Sequence, residues 1–154
     1  MKKLIKIILA VSIMLSTLSA ENKYETNIFT IKSLEIKKDT SIMGIMYLPS
    51  SDKFSPNINI IKQSYSGTLE EYQEITENQF KKEKLNVLYN QIENNRIIFE
   101  YSGKFGKFKT EMHWYGIAHK KDNSYYLITA TALKKQWKQY SKELIDSVQS
   151  FKLK

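Results

Sequence analysis

The sequence contains no cysteine, and only two of its 154 residues are histidines. A chain without cysteine has no disulfide, no thiolate nucleophile and no thiolate ligand for a soft metal ion. Three further signatures are missing: the Gly-x-Ser-x-Gly elbow, a glycine-rich phosphate loop and a His-Glu-x-x-His run. These absences predict that the protein is not an enzyme, that it holds no cofactor and no metal, and that packing alone stabilises it.

The first 20 residues have the pattern of a secretory signal peptide. Lysines at positions 2, 3 and 6 flank an apolar run from Leu4 to Leu18, and Ser19-Ala20 ends it. This run is shorter than the roughly 20 residues that cross a bilayer. Cleavage after Ala20 is therefore expected, and retention as an anchor is the alternative. The sequence predicts a periplasmic or secreted protein with no transmembrane span after cleavage.

Residues 21–154 are expected to form one domain, because no linker, internal repeat or low-complexity tract divides them. Three of the eight net positive charges belong to the lysines of the signal peptide. The remaining lysine excess is mild. In an exported protein it keeps a domain soluble or draws it to anionic surfaces, and it does not predict nucleic-acid binding.

Alternation of polar and apolar residues predicts three strands in the first half of this domain. The first begins at Asn27, the second covers Ser41–Leu48 and the third covers Asn57–Tyr65. Thr68 and Glu71 then have the spacing of a capping box, which predicts a helix that ends near residue 83.

The second half reads as four strands between Val87 and Ala132, followed by a helix. The predicted turns are Asn94-Asn95, Gly103–Gly106 and Lys120–Asn123. An anion-binding loop is the alternative interpretation of 103–107. The last helix follows from apolar residues at intervals of three and four: Leu133, Trp137, Tyr140, Leu144, Val148 and Phe151.

These turns predict the pairing of the strands. The expected pairs are Glu93 with Arg96, Ile92 with Ile97, Asn90 with Phe99, Leu88 with Tyr101, Tyr101 with Phe108, Phe99 with Thr110 and Ile97 with Met112. One face of the block is then apolar throughout and includes Trp114, Tyr125 and Leu127. The opposite face is apolar only in its second half.

That second half carries Tyr115, Ile117, Tyr126 and Ile128. An apolar patch of this size is either covered by a helix or left open as a binding surface. Tyrosines at the border of an apolar patch are favoured in interfaces. We therefore expect Tyr115 and Tyr126 to contact a partner.

Three sets of charged or titratable residues have both a functional and a solvent-exposed interpretation. His113 and His119 lie too far apart on one strand to share a metal, and are expected at the surface or its rim. Glu70, Glu74 and Glu77 could recruit calcium, but acids near a helix start are favoured by its dipole. The third set edges the last helix, either solvated or docked on an acidic partner or anionic lipid headgroups: Lys134, Lys135, Lys138 and Lys142.

Several runs together resemble the PsbP-like superfamily, which includes the DcrB-like bacterial envelope proteins. The similar runs are Ser55–Ile60, Gly67–Tyr72, Tyr125–Ala132 and Trp137–Phe151. The resemblance implies an α+β fold in which an antiparallel β-sheet is sandwiched between helices, a PsbP-like α/β/α sandwich. It implies no catalytic residues, since members are generally accessory or binding modules.

Export, the missing signatures and the resemblance together predict a non-catalytic accessory or binding protein of the bacterial cell envelope. Its partner would be an unknown protein or envelope component. The alternative is a periplasmic inhibitor or immunity-type protein that blocks one enzyme. An immunity protein would copurify with a single enzyme, whereas an accessory module would copurify with an envelope assembly.

Overall fold

The computed structural model describes residues 40–106 and 109–153, in which six strands form one antiparallel sheet and two helices pack on it. The elements are β1 (Thr40–Tyr47), β2 (Asn57–Ser64), α1 (Leu69–Lys82), β3 (Asn86–Glu93), β4 (Arg96–Phe105), β5 (Thr110–Lys121), β6 (Ser124–Leu133) and α2 (Lys134–Gln149). Their order across the sheet is β1-β2-β6-β5-β4-β3, so β1 and β3 are its edges. The predicted signal peptide and the strand expected from Asn27 lie outside the described residues.

Helix α1 begins where the sequence predicts it. The Thr68 hydroxyl accepts a hydrogen bond from the Glu71 backbone amide at 3.2 Å, and the Glu71 carboxylate accepts one from the Thr68 amide at 2.9 Å. Two amides that the helix itself leaves unpaired are thus satisfied. The buried face of α1 consists of Leu69, Tyr72, Thr76 and Phe80.

The hairpin of β3 and β4 confirms most of its predicted register. Asn94 and Asn95 both have positive φ, 48° and 59°, as a two-residue primed turn requires. They pair Glu93 with Arg96. The expected pair of Leu88 with Tyr101 is wrong, because an irregularity between Val87 and Tyr89 places Val87 opposite Tyr101.

The predicted turn at Gly103–Gly106 is wrong, because β4 continues to Phe105 and β5 starts at Thr110. Tyr101 lies opposite Trp114, and Phe99 lies opposite Gly116. The third turn is tighter than predicted, since Lys121 pairs with Ser124.

The sheet has a core on each side. The α1-side core contains Phe80, Phe99, Tyr101, Trp114, Tyr125 and Leu127, among others. The α2-side core contains Ile58, Ile98, Tyr115, Ile117, Ile128, Leu144 and Val148, among others. Adjacent residues of β5 and β6 enter different cores, because side chains alternate between the faces of a strand. The predicted division of β5 and β6 between two faces is therefore correct.

The predicted α/β/α sandwich is wrong, because strands make up 51% of the structure and helices 27%. Helix α1 contacts mainly β3 and β4, and α2 contacts mainly β5, β6 and β2. A helix with its side chains is about 10 Å wide, whereas six strands extend over about 24 Å. One helix on each side therefore covers part of a face and forms no layer. The fold is dominated by the sheet.

Candidate ligand-binding cleft

A cleft of about 700 Å³ opens at one end of the sheet. The turn between β1 and β2, the ends of β4 and β5, and the junction of β6 with α2 surround it. Its lining residues are Asp52, Lys53, Phe54, Phe105, Thr110, Glu111, Met112, Leu133, Lys134 and Lys135. We call this feature the end cleft. Its volume falls in the range of small-molecule sites, about 300–1,000 Å³.

Apolar side chains from four separate chain segments form the floor of the end cleft. Met112 of β5 lies directly opposite Leu133 of β6. Phe105 ends β4 and meets the Trp114 ring edge-on, with ring centroids 6.0 Å apart. Phe54 comes from the turn between β1 and β2. Strands position most of the floor, so its shape is largely fixed before any ligand arrives.

The wall that carries Phe54 is a tight turn at residues 51–54. Ser51 and Phe54 exchange two backbone hydrogen bonds, of 3.1 and 3.0 Å. Between them, Asp52 and Lys53 have φ values of 54° and 63°, the left-handed conformation that a type I′ turn requires at both central positions. At the tip of this turn Asp52 and Lys53 are exposed and lie at the mouth, whereas Phe54 is half-buried and packs against the α1-side core.

Gln136 attaches this turn to the start of α2. Its side chain is 3% exposed. The amide nitrogen donates to the Ser51 carbonyl at 2.8 Å and lies 3.1 Å from the Phe54 carbonyl, while its oxygen accepts from the Leu133 amide at 3.0 Å. One buried side chain thus joins two walls of the cleft.

Lysines and carboxylates form ion pairs around the mouth. The Lys135 ammonium lies 2.6 Å from the Asp52 carboxylate. Glu111 lies between two lysines, 3.5 Å from Lys134 and 3.7 Å from Lys104. All these side chains are more than 40% exposed, so the ion pairs add little stability. They leave the mouth polar and the floor apolar.

The two histidines lie beneath α2. The prediction of a surface position is wrong for His113, which is 8% exposed. Its ring stacks on Trp137 at 4.1 Å, and its Nε2 lies 2.6 Å from a Glu100 oxygen. His119 is half-buried, with its ring 5.5 Å from Phe151. Trp137 and Phe151, near the two ends of the C-terminal segment, thus each rest on one histidine.

We expect acidification to destabilise the protein through these histidines. Burial lowers the pKa of His113, although Glu100 opposes the shift, and burial together with Arg96 lowers the pKa of His119. The unfolded chain, with an ordinary imidazole pKa of about 6.5, therefore binds more protons. The free energy of unfolding should be highest above pH 7 and fall as the pH drops through 6.5 toward 5.

Urea denaturation at pH 7.5 and pH 5.5 measures this dependence. The double variant His113→Gln/His119→Gln should lose most of the difference between the two pH values, whatever its absolute stability. A full pH dependence in that variant would contradict the assignment to the histidines.

The remaining candidate residues from the sequence lie away from the end cleft. Tyr115 is buried, and its hydroxyl accepts a hydrogen bond from Gln149 at 3.0 Å. Tyr126 is half-buried, with the Lys62 ammonium 5.8 Å from its ring centroid. Their expected partner contact stays a prediction.

The acidic residues of α1 and the lysines of α2 make different kinds of contact. In the acidic stripe of α1, Glu77 pairs with Lys81 at 2.7 Å. Within residues 40–106 and 109–153, no group of three or more metal-ligating side chains is arranged around a common point. Of the lysines on α2, Lys134 and Lys135 line the cleft, and Lys142 pairs with Asp146 of its own helix at 2.6 Å.

Sequence reasoning missed the end cleft and Gln136. Phe54 and Phe105 are more than 50 residues apart, and no spacing rule connects them. The position of Gln136 could have predicted part of its role, because a glutamine at the third helical position is typical of a reciprocal cap. That signal predicts its bond to Leu133 but not its bonds to the turn at 51–54.

No family model and no curated protein matches this sequence. Among solved structures, the chain is similar to PA94 from Pseudomonas aeruginosa, a protein of unknown function whose name provisionally assigns it a regulatory role. The TM-score is 0.60 at 12% identity, over 88% of this chain and 99% of that chain. Identity this low establishes a shared fold and nothing about activity. Neither helix in the described part of the chain is long and apolar enough to cross a membrane.

Proposed function

We propose that this chain is an exported, non-catalytic binding protein of the bacterial cell envelope, periplasmic or secreted, and that the end cleft holds its ligand. The cleft is the observation that carries the proposal, because it joins an apolar floor to a charged mouth at the junction of four elements. Binding sites for small molecules have this composition. The signal-peptide pattern of residues 1–20 and the resemblance to DcrB-like proteins support the location.

The chemistry of the cleft favours binding over catalysis. A general acid or base usually lies in a desolvated position that shifts its pKa toward neutrality. The two carboxylates of the cleft, Asp52 and Glu111, are exposed and lie in ion pairs with lysines. The one carboxylate–histidine pair among the described residues joins half-buried Glu100 to buried His113, and it lies under Trp137 on the α2 side of the sheet.

Crosslinking in the envelope fraction, followed by purification and mass spectrometry, tests the proposal. Thr110→Trp would fill the cleft, because Thr110 is half-buried in its lining. Gln91→Trp makes the same kind of change on the exposed surface of the edge strand β3. We expect the components recovered with the parent chain to persist with Gln91→Trp and to disappear with Thr110→Trp.

A third variant separates the cleft from the other predicted contact surface. If Tyr115→Ser/Tyr126→Ser abolishes recovery while Thr110→Trp does not, the partner contacts the α2 side and the cleft assignment is wrong. Equal recovery with all three variants would also contradict the proposal. Recovery of one enzyme in a one-to-one complex, with protection of cells from that enzyme, would favour the inhibitor alternative.

A further inference from the structure

From the shape and charge of the end cleft we infer its ligand class: a single amphipathic anion, with an apolar body on the cleft floor and one anionic group, such as a carboxylate, at the lysine-lined mouth. This inference rests on the proposed function of the end cleft as a binding site. It adds which kind of molecule the cleft selects. Three features of the described residues carry it.

The floor requires an apolar body. Phe54, Phe105, Met112 and Leu133 contribute only hydrocarbon, aromatic and thioether surface to the cleft. Placing a charged or strongly hydrated group among them would remove its water without supplying a hydrogen-bond partner. An alkyl chain or an aromatic ring gains from the same surface, because it leaves water.

The mouth requires a negative charge. Four lysines lie at or beside it, Lys53, Lys104, Lys134 and Lys135. The lining contributes two carboxylates: Asp52 pairs with Lys135, and Glu111 lies between Lys104 and Lys134. Glu111 is shared by two lysines, and its carboxylate oxygens lie farther from their ammonium groups than the Asp52 carboxylate lies from that of Lys135. One anionic group bound among these lysines would reduce this local excess of positive charge.

The two helices of the described residues differ in the charges that they carry at the ends of their dipoles. Helix α1 has Glu70 and Glu71 in its first turn and Lys81 and Lys82 in its last, the arrangement that the dipole favours. Helix α2 begins at the cleft with Lys134 and Lys135, has no acid in its first turn and has no side-chain cap from Leu133.

The start of α2 therefore adds to the positive charge of the mouth. Lysines at the positive end of a helix oppose its dipole. Helix α1 follows the charge preference of the dipole and α2 does not, and such local exceptions are expected at functional positions. A ligand anion at this place would interact favourably with both lysines and with the helix end.

The cleft fits one free molecule better than a lipid surface. It is concave, and its volume of about 700 Å³ corresponds to a single small ligand. Binding to a bilayer would instead require a broad, outward-facing basic surface. We therefore assign the cleft to a free amphiphile, and binding of anionic vesicles serves as the opposing outcome.

Two probes that share an apolar body test the inference on the full chain. The first is 1-anilinonaphthalene-8-sulfonate, and the second is N-phenyl-1-naphthylamine, which lacks the sulfonate. Titration followed by probe fluorescence should give one site for each, with the sulfonate bound more tightly. In Trp137→Phe, Trp114 is the only remaining tryptophan. Trp114 contacts the floor residue Phe105, so a probe bound in the cleft should accept energy from it efficiently, and the variants below locate the probe.

Matched charge changes on α2 locate the anion. Lys134→Gln/Lys135→Gln should weaken the sulfonate probe by about five- to tenfold and leave the neutral probe unchanged. Lys138→Gln/Lys142→Gln removes the same charge farther along α2 and should change neither. Equal affinity of the two probes for the parent chain, or equal losses in both double variants, would overturn the inference while leaving the cleft as a binding site.

Two further arms separate the remaining possibilities. Thr110→Trp should abolish binding of both probes with an unchanged thermal midpoint. If both probes bind it as well as the parent chain, or neither binds the parent, the proposed function of the cleft fails together with the ligand class. Vesicles of phosphatidylcholine with phosphatidylglycerol should not displace the sulfonate probe. Displacement that depends on Lys134 and Lys135 would overturn the assignment to a free molecule in favour of a membrane surface.

Discussion

Replacing Trp114 with alanine is expected to lower the free energy of unfolding by about 3–5 kcal/mol, the cost of emptying a large aromatic site in a packed core. Trp114 is 0% exposed. Its ring stacks on Tyr101 with centroids 4.9 Å apart and meets Phe105 edge-on. The indole nitrogen has no hydrogen-bond partner among the described residues, so the loss measures packing. Urea denaturation of parent and variant gives the difference.

Trp137→Ala is the matched control, because it removes the same side chain from the other side of the sheet. Trp137 is half-buried and rests on His113. Its loss should cost about 1.5–3 kcal/mol, since less apolar surface returns to water. A larger loss for Trp137 than for Trp114 would mean that the docking of α2, rather than the α1-side core, supplies most of the stability.

The hairpin of β3 and β4 shows what the sequence can predict. Two adjacent asparagines tolerate positive φ, and few other short segments could form this turn. The register next to it follows directly, so the pairs Glu93–Arg96 and Asn90–Phe99 are both correct. Local turn chemistry decides the structure there, and local chemistry is readable from one sequence.

The hairpin of β4 and β5 shows where prediction fails. The sequence predicts a turn at Gly103–Gly106, yet Gly103 lies inside β4, opposite Met112. The prediction placed Phe108 opposite Tyr101, whereas the structure places Trp114 there. This shift of six positions is an even number, so every side chain kept its face. The faces of β5 were therefore predicted correctly from a wrong register.

The predicted register of the edge strand β3 is wrong at Leu88 for a different reason. Val87, Leu88 and Tyr89 are all apolar, so alternation cannot show which of them turns away from the core. The irregularity between Val87 and Tyr89 leaves Leu88 49% exposed. A bulge changes the count of residues on one strand only, and the information for it lies in the partner strand and in the packing of α1.

The end cleft depends on long-range geometry in the same way. Met112 and Leu133 become neighbours only through the observed register of β5 and β6. The pair of Glu100 and His113 requires the observed register of β4 and β5, since the predicted turn would have moved the two residues apart. The sequence shows the lysines at the start of α2, but it does not show the cleft beside them.

Gly116→Ala is expected to lower the free energy of unfolding by about 1–3 kcal/mol, because an added methyl group overfills the α1-side core. A Cβ atom at this position would lie 2.3 Å from Cε2 of the Phe99 ring and 3.1 Å from the Ile128 carbonyl oxygen. Phe99 lies directly opposite Gly116 on β4 and is 2% exposed. The ring occupies the space that the missing side chain leaves, and the surrounding core gives it no room to move.

Gly44→Ala makes the same substitution in a strand where space is available. A Cβ atom at Gly44 would have Ile60 Cδ1 as its nearest neighbour, at an ordinary contact distance of 3.9 Å. The alanine reduces the conformational freedom of the unfolded chain without strain, so a gain of about 0.4–1 kcal/mol is expected. Thermal and urea denaturation of the two variants should therefore show opposite signs. A Gly116→Ala variant as stable as the parent would contradict this expectation. It would mean that the Phe99 ring has a second position in the core, and that its close approach to the backbone does not require glycine at residue 116.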